Sequence, residues 1–279
     1  MKFTLQISAS IFFLFPLLFT AQSCQTEGCT NEHAINYDSD AGVDDGSCEF
    51  TNGVEFQLDF YIDESPLVVD QETYTNAAGN AFFVSRLQMY LSEIELHLAD
   101  NSKLMIADFH YFDLLDSSSY KVKLTDVEHN MADSISFIFG LRNELNTNYA
   151  LPNDIENINM QWPTPMGGGY HYMKFEGKFA HSDGQMHNYN VHLGRLVDAK
   201  GKSDPYFRKS FALNNVELNS DVLKIKVIMN LNGWFDGEEN YNMENFGEGI
   251  MGSHKAQRLL EENGIDNVFK IAETWHDQF

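Results

Sequence analysis

The chain has little positive charge, few cysteines and none of the short motifs that mark a catalytic nucleophile or a hydrolytic metal. Its 18 Lys and Arg face 41 Asp and Glu, for a formal net charge of -23. Such a chain repels nucleic acid phosphates and anionic lipid head groups, which excludes both as partners and favours cations. The plainer reading, that an acidic surface keeps an exported protein soluble, stands beside it. Gly-x-Ser-x-Gly, His-Glu-x-x-His and Cys-x-x-Cys are all absent, and no two of the many acids can be paired as general acid and base, so the chain reads as non-enzymatic. The apolar run from Ile11 to Phe19 is too short for a permanent membrane helix.

That run has another use. Lys2 precedes it and Thr20-Ala21-Gln22-Ser23 comes after it, which together make an export signal over residues 1–23. Of the three cysteines, Cys29 and Cys48 can pair in an oxidising compartment, which leaves Cys24 as the odd one. Cys24 stands where a bacterial lipoprotein signal would end, after small Ser23 but with Gln22 where a small residue is commoner. Lipidation of Cys24, with the membrane met only through that anchor, is one reading; simple cleavage is the other. Either places the protein in the periplasm or on the outer-membrane surface.

Residues 24–52 differ in composition from the rest of the chain. GCTNEHAINYDSDAGVDDGSCE, from Gly28 to Glu49, has no aliphatic pattern, so a Cys29–Cys48 disulfide is its main staple. It resembles a short module of secreted Bacteroidetes proteins, of the form GCT, NY, DDGSC. Asp38, Asp40, Asp44 and Asp45 offer hard oxygens to calcium, while a disulfide-pinned spacer needs no ion at all.

From residue 53 to 279 the pattern is that of strands. Val54, Phe56, Leu58, Phe60 and Ile62 alternate with Glu55, Gln57, Asp59 and Tyr61, the period of a half-buried strand. Similar stretches run over about residues 82–98, 104–112, 121–127, 134–139, 170–179, 186–193, 210–218 and 222–231. One helix stands out, capped by Ser253, striped by Ala256, Leu259 and Leu260 and stopped at Gly264. Eight or nine strands and one short C-terminal helix predict an all-β antiparallel sandwich.

The chemistry concentrates between Met160 and Gly194, a stretch with one tryptophan, four histidines, four methionines and Gly167-Gly168-Gly169. Soft sulfur and imidazole donors point to a metal, copper before zinc. Asp183-Gly184 predicts a two-residue hairpin turn. Ser182 then pairs with Gln185, and Phe175 with His192. In that register His171, Met173 and Phe175 share a face with Met186 and His192, but His171 lies about 13 Å along the strand from the partner of His192, at ~3.3 Å per residue. A plain hairpin cannot bring both rings to one ion, so either a bulge intervenes or a third segment contributes. The glycine loop can carry Trp162 or Met166 back towards His171. A lone histidine on an apolar face is more often a core residue than a ligand, and His97, His110, His129, His181, His187 and His276 have no arrangement that lifts them above that.

These residues carry a family resemblance. Met160-x-Trp162, Gly169-Tyr170, Glu176-Gly177 and His192-x-Gly194, with LQMYLSEIEL from Leu87, ISFIFGL from Ile135 and the segment GIMGSHKAQRLLEENGIDNVF, resemble the MbnP-like copper-binding proteins related to methanotroph copper-scavenging surface proteins. The resemblance implies a periplasmic or surface β-sandwich that binds copper through histidines and a tryptophan oxidised to kynurenine by a dihaem partner similar to MauG. Carried over, it makes Trp162 the tryptophan to be modified. Pro163 and Thr164 depart from the family by coming after Trp162 where relatives place an aromatic or histidine ligand. The expected site is therefore His171 and His192 with Trp162, Met166 or Met173, completed by Met251 and His254; the alternative for His254 is a surface residue at a helix start. The function implied is copper uptake or homeostasis. The alternative is a surface binding or adhesion module whose histidines are structural.

Overall fold

Alternation of apolar and polar residues becomes two stacked sheets in the structure, a computed structural model. It describes residues 26–50, 52–70, 73–128, 130–197, 203–204, 207–219, 221–246 and 248–277. The export signal and the lipid site at Cys24 lie outside the described residues. The larger strands are β1 (Gly53–Ile62), β2 (Ala81–Leu98), β3 (Lys103–Asp113), β4 (Lys121–Thr125), β5 (Asn130–Phe139), β6 (His171–Ala180), β7 (Met186–Gly194), β8 (Arg208–Leu218), β9 (Val222–Asn230) and β10 (Phe269–Asp277). Helices α1 (Ile155–Asn159) and α2 (His254–Asn267) accompany them. Among the described residues, no helix is long and apolar enough to cross a membrane.

One sheet runs β7-β6-β2-β5-β8, with β3 also paired to β2; the other runs β10-β9-β1, with β4 on β1. The fold is the expected all-β sandwich. Its pairing is antiparallel except that β1 and β9 run parallel, from Val222 opposite Gly53 to Asn230 opposite Tyr61. Aromatic rings join the layers: Phe56 of β1 meets Phe137 of β5 at 5.8 Å and Phe112 of β3 at 6.3 Å, and Phe269 of β10 meets Phe137 at 5.1 Å. Such edge contacts add to the burial of ~150–250 Å² per ring that holds a core together.

Three features depart from the sequence pattern. Strand β10 is additional, because of its nine residues only Phe269 is buried and no alternation marks it. Glu55 faces away from the core as expected yet is buried, covered by Lys121 and Lys123 of β4 at 3.3 and 3.1 Å. Helix α2 begins as predicted, with the Ser253 hydroxyl accepting from the Ala256 N–H, but continues past Gly264 to Asn267. That glycine makes room: a Cβ there would lie 2.3 Å from the ring of fully buried Trp234.

Among the described residues two compact units divide the chain, one of residues 26–32 and Asn36–Cys48, the other of His33–Ile35 and the residues from Glu49 on. In the smaller, Glu27–Gly28 pairs in parallel with Val43–Asp44, and the Cys29–Cys48 disulfide is formed.

Candidate metal centre

The β6–β7 hairpin turns on three residues. His181 N–H donates to the Gln185 carbonyl, Gly184 N–H returns to the His181 carbonyl, and Gly184 has a φ of 81°, the form of a turn closed by a left-handed residue. One extra residue in the turn slips the register by one and reverses which residues share a face. His192 thus stands opposite Lys174 and Phe175 opposite Val191. This corrects the predicted pairing of Phe175 with His192: Met173 and Phe175 are buried core residues, on the other face from His192.

A second irregularity brings His171 back. Between His171 and Met173 the register shifts at a bulge, so that His171 stands opposite Gly194 rather than one residue further on. Cross-strand partners share a face, and so do residues two apart. His171, Gly194 and His192 therefore lie together, the two imidazole centroids 5.1 Å apart at 86°.

The glycine loop supplies the third ring. Gly167, Gly168 and Gly169 have φ of 119°, 68° and 84°, a run that residues with a Cβ rarely adopt. It folds Trp162 back so that its N–H donates to the Gly169 carbonyl at 2.8 Å, while His171 N–H donates to the Met160 carbonyl at 2.6 Å. Asn148 and Asn146 fix the loop by accepting from the N–H groups of Gly169 and Tyr170, both at 2.7 Å. Buried Trp162 then meets His171 at 4.8 Å between centroids. It lies over Gly194, where a Cβ would come within 2.3 Å of the indole, which explains the glycine two residues after His192.

The hydrogen bonds settle which nitrogens are free. His171 Nδ1 is 3.0 Å from the Met160 carbonyl; a carbonyl only accepts, so Nδ1 carries the hydrogen and Nε2 the lone pair. His171 is 4 % exposed, and its Nε2 has no hydrogen-bond partner. Burial pushes its pKa down to about 3, with Lys174 and His192 adding to the shift and the Met160 carbonyl opposing it. It is thus neutral across the physiological range. His192 donates Nε2–H to Glu176 at 2.7 Å, which in the neutral ring leaves Nδ1 as the acceptor. Glu176 sits 3.6 Å from Arg86, and the His192 hydrogen bond, then these charges, hold its carboxyl below the usual range. A carboxylate or carbonyl behind each imidazole is the arrangement that orients metal-ligating histidines. The residues fit a metal held by two imidazole nitrogens.

The methionines contribute differently from what their sulfur led us to expect. Met173 packs in the core between Met89 and Leu193. Met160 and Met166 offer carbonyls, the latter accepting from Trp162 Nε1–H at 3.2 Å. The Met166 methyl approaches the Cβ position of Gly252 to 3.6 Å, and Gln257, wholly buried, links the Gly194 N–H to the Met251 carbonyl. The C-terminal segment thus borders the site through the Gln257 side chain and the backbone of Met251 and Gly252, with no ligand from the Met251 sulfur seen among these contacts. His254 is exposed, beside Glu239, Lys255 and Arg258 in a shallow surface depression. In the smaller unit Asp38, Asp44 and Asp45 each accept from the N–H two residues on, and Asp40 is exposed.

One cluster was hidden in the sequence. His181, Asp183 and His187, around the hairpin turn, are the three His, Cys, Asp or Glu residues whose donor atoms converge within 4.8 Å, among the described residues. In a two-residue turn His181 and His187 would face opposite sides; the three-residue turn puts both on the Phe179 face.

A family model, MbnP, matches residues 51–252. No curated protein sequence matches the chain. Among solved structures the fold is similar to that of MbnP from Methylosinus trichosporium, with a TM-score of 0.50 and 12% identity, covering 79% of this chain and 98% of that one. At that identity the structural likeness is one of fold. The family model spans well over half of the chain, from before β1 to the threshold of α2, and takes in Trp162, His171 and His192: the chain belongs to the MbnP family.

Proposed function

We propose that this protein is a non-enzymatic copper carrier of the cell envelope, holding Cu(I) between His171 Nε2 and His192 Nδ1 with the Trp162 ring as the third wall. The observation that carries the reading is the buried, neutral, unpartnered Nε2 of His171 beside His192. Leaving such an atom unsatisfied costs about 1–3 kcal/mol, a cost that a bound ion removes. Imidazole serves zinc and copper alike. Charge favours the monovalent ion, since the carboxylate of the site, Glu176, is already engaged by His192 and Arg86 and a second positive charge in a buried place is expensive. The protein positions and shields: Met160 and Glu176 set the tautomers, and Trp162 excludes water.

Export by residues 1–23, anchoring at Cys24 and oxidation of Trp162 to kynurenine by a dihaem partner resembling MauG belong to the same reading; family membership supports an exported protein, and the sequence of residues 1–24 carries the anchor. Calcium at Asp38, Asp40, Asp44 and Asp45 would be a separate, structural ion. Cu(I) titration against a chromophoric chelator tests the centre: wild type takes up one equivalent that His171→Ala plus His192→Ala does not. Absence of stoichiometric copper in the wild type refutes the function, and unchanged uptake by the variant refutes the site. A peptide mass for the Trp162 segment, from protein made beside its native neighbours, tests the oxidation; unmodified tryptophan removes it.

A further inference from the structure

The two ends of the hairpin differ in chemistry. At the Trp162 end the donors are two imidazoles, His171 buried and His192 half-buried; at the turn they include a carboxylate and are partly open to solvent. His181 Nδ1 accepts from the Asp183 N–H and lies 3.1 Å from one oxygen of the Asp183 carboxylate, and His187 Nε2 lies 2.9 Å from the other; a metal at His181 would displace that N–H. The two rings lean together, 4.4 Å between centroids, over the edge of buried Phe179. In a tetrahedral site with bonds of about 2.0–2.1 Å, neighbouring ligand atoms stand about 3.3 Å apart. The two spacings to Asp183 approach that value and all three donor atoms lie within 4.8 Å of one another, so side-chain rotations could admit an ion.

The surroundings orient the cluster. Glu248 comes within 3.8 Å of the other ring nitrogen of His187. The Glu248 carbonyl accepts from the Asn190 side chain, and Glu244 accepts from the Ser182 N–H at 2.7 Å, so one acidic segment lies against the whole turn. Asp183 also accepts from the Gln185 N–H at 2.8 Å, which holds its carboxylate over the turn. Two nitrogens, one anionic oxygen and an open fourth position suit a borderline divalent ion such as zinc, and are too hard a set for Cu(I).

We infer that His181, Asp183 and His187 form a second metal site, for a divalent first-row ion with zinc foremost, at the hairpin turn. It is independent of the copper reading. His181 lies ten positions along the chain from His171, about 33 Å at ~3.3 Å per residue, and the two histidine pairs sit on opposite faces of the sheet.

Equilibrium dialysis of the full chain against Zn(II), with protein-bound metal counted by mass spectrometry, tests it. His181→Ala plus His187→Ala should bind one zinc fewer per chain than wild type, and Asp183→Asn should bind that zinc more weakly. All three residues are at least partly exposed, so the variants fold, as a circular dichroism melt can verify. Any zinc taken by His171 and His192 is common to both proteins and cancels in the difference. Equal zinc content in wild type and the double variant overturns the site, whatever the outcome of the Cu(I) titration.

Discussion

In the metal-free protein His171 should make folding sensitive to acid, by an amount its burial sets. The unfolded chain has an ordinary histidine titrating near about 6.5, whereas in the folded protein the same ring is held down to about 3, with burial the leading cause. The sign depends on which state takes the proton. Between these two values the unfolded chain binds a proton that the folded chain refuses, so stability falls as the pH drops below the unfolded pKa and stops falling only near the folded one. Linkage puts the loss at about 2 kcal/mol between about pH 8 and pH 5, growing to roughly 5 kcal/mol at the lower limit. Glu176, with its depressed pKa, also costs stability in acid, so the measurement is a difference. Urea unfolding of wild type and His171→Gln at those two pH values should show wild type losing about 2 kcal/mol more than a variant that keeps a polar group but cannot titrate. Equal losses would refute the reasoning, as would a nuclear magnetic resonance titration that finds His171 near its ordinary value. Bound copper should leave that loss in place, because the metal then occupies the lone pair and the folded chain still refuses the proton that the unfolded chain takes.

Gly194→Ala drives a methyl to within 2.3 Å of the Trp162 ring, and such overpacking costs about 1–3 kcal/mol; Cu(I) affinity and melting temperature should fall together, and unchanged copper affinity would detach Trp162 from the centre. Gly264→Ala sets two effects against each other. Alanine favours a helix interior by about 1 kcal/mol, but the clash with buried Trp234 falls in the ~1–3 kcal/mol range of overpacking, so calorimetry should record a lower melting temperature and a rise would be contrary. Cys29→Ser plus Cys48→Ser opens a 19-residue separation, which removes about 3 kcal/mol of constraint on the unfolded segment; limited proteolysis should cut between residues 29 and 48 faster than in wild type, and equal rates would contradict the disulfide's role.

How much of the fold could be read from the sequence depends on how each signal arises. Strand β1 was legible because every second residue from Val54 to Ile62 is apolar and buried. Strand β10 was not, because beyond Phe269 it buries almost nothing. The start of α2 was legible because a cap is a local interaction between Ser253 and Ala256. Its end was not, because Gly264 answers to Trp234, thirty residues earlier in the chain and adjacent only in the folded state. Likewise Gly194 could be matched to a family pattern, but its reason, the indole lying on it, needs the fold.

The histidines show the same limit in sharper form, since both clusters depend on single residues that count along the backbone. A two-residue turn at Asp183-Gly184 would place His192 on the face of Met173 and Phe175, inside the core, and would separate His181 from His187. The third residue in the turn reverses both outcomes at once: His192 moves to the outer face, and His181 joins His187 beside Phe179. The same slip alone would have parted His171 from His192. The bulge at Tyr172 cancels it locally, returning His171 to the face of His192 while leaving the rest of β6 in the slipped register with Met173 and Phe175 packed inward. Residue identities along one stretch therefore drew attention to the right hairpin. Which residues meet was decided by two one-residue irregularities, each of which alone would have parted His171 from His192, and together they give one hairpin a histidine cluster on either face.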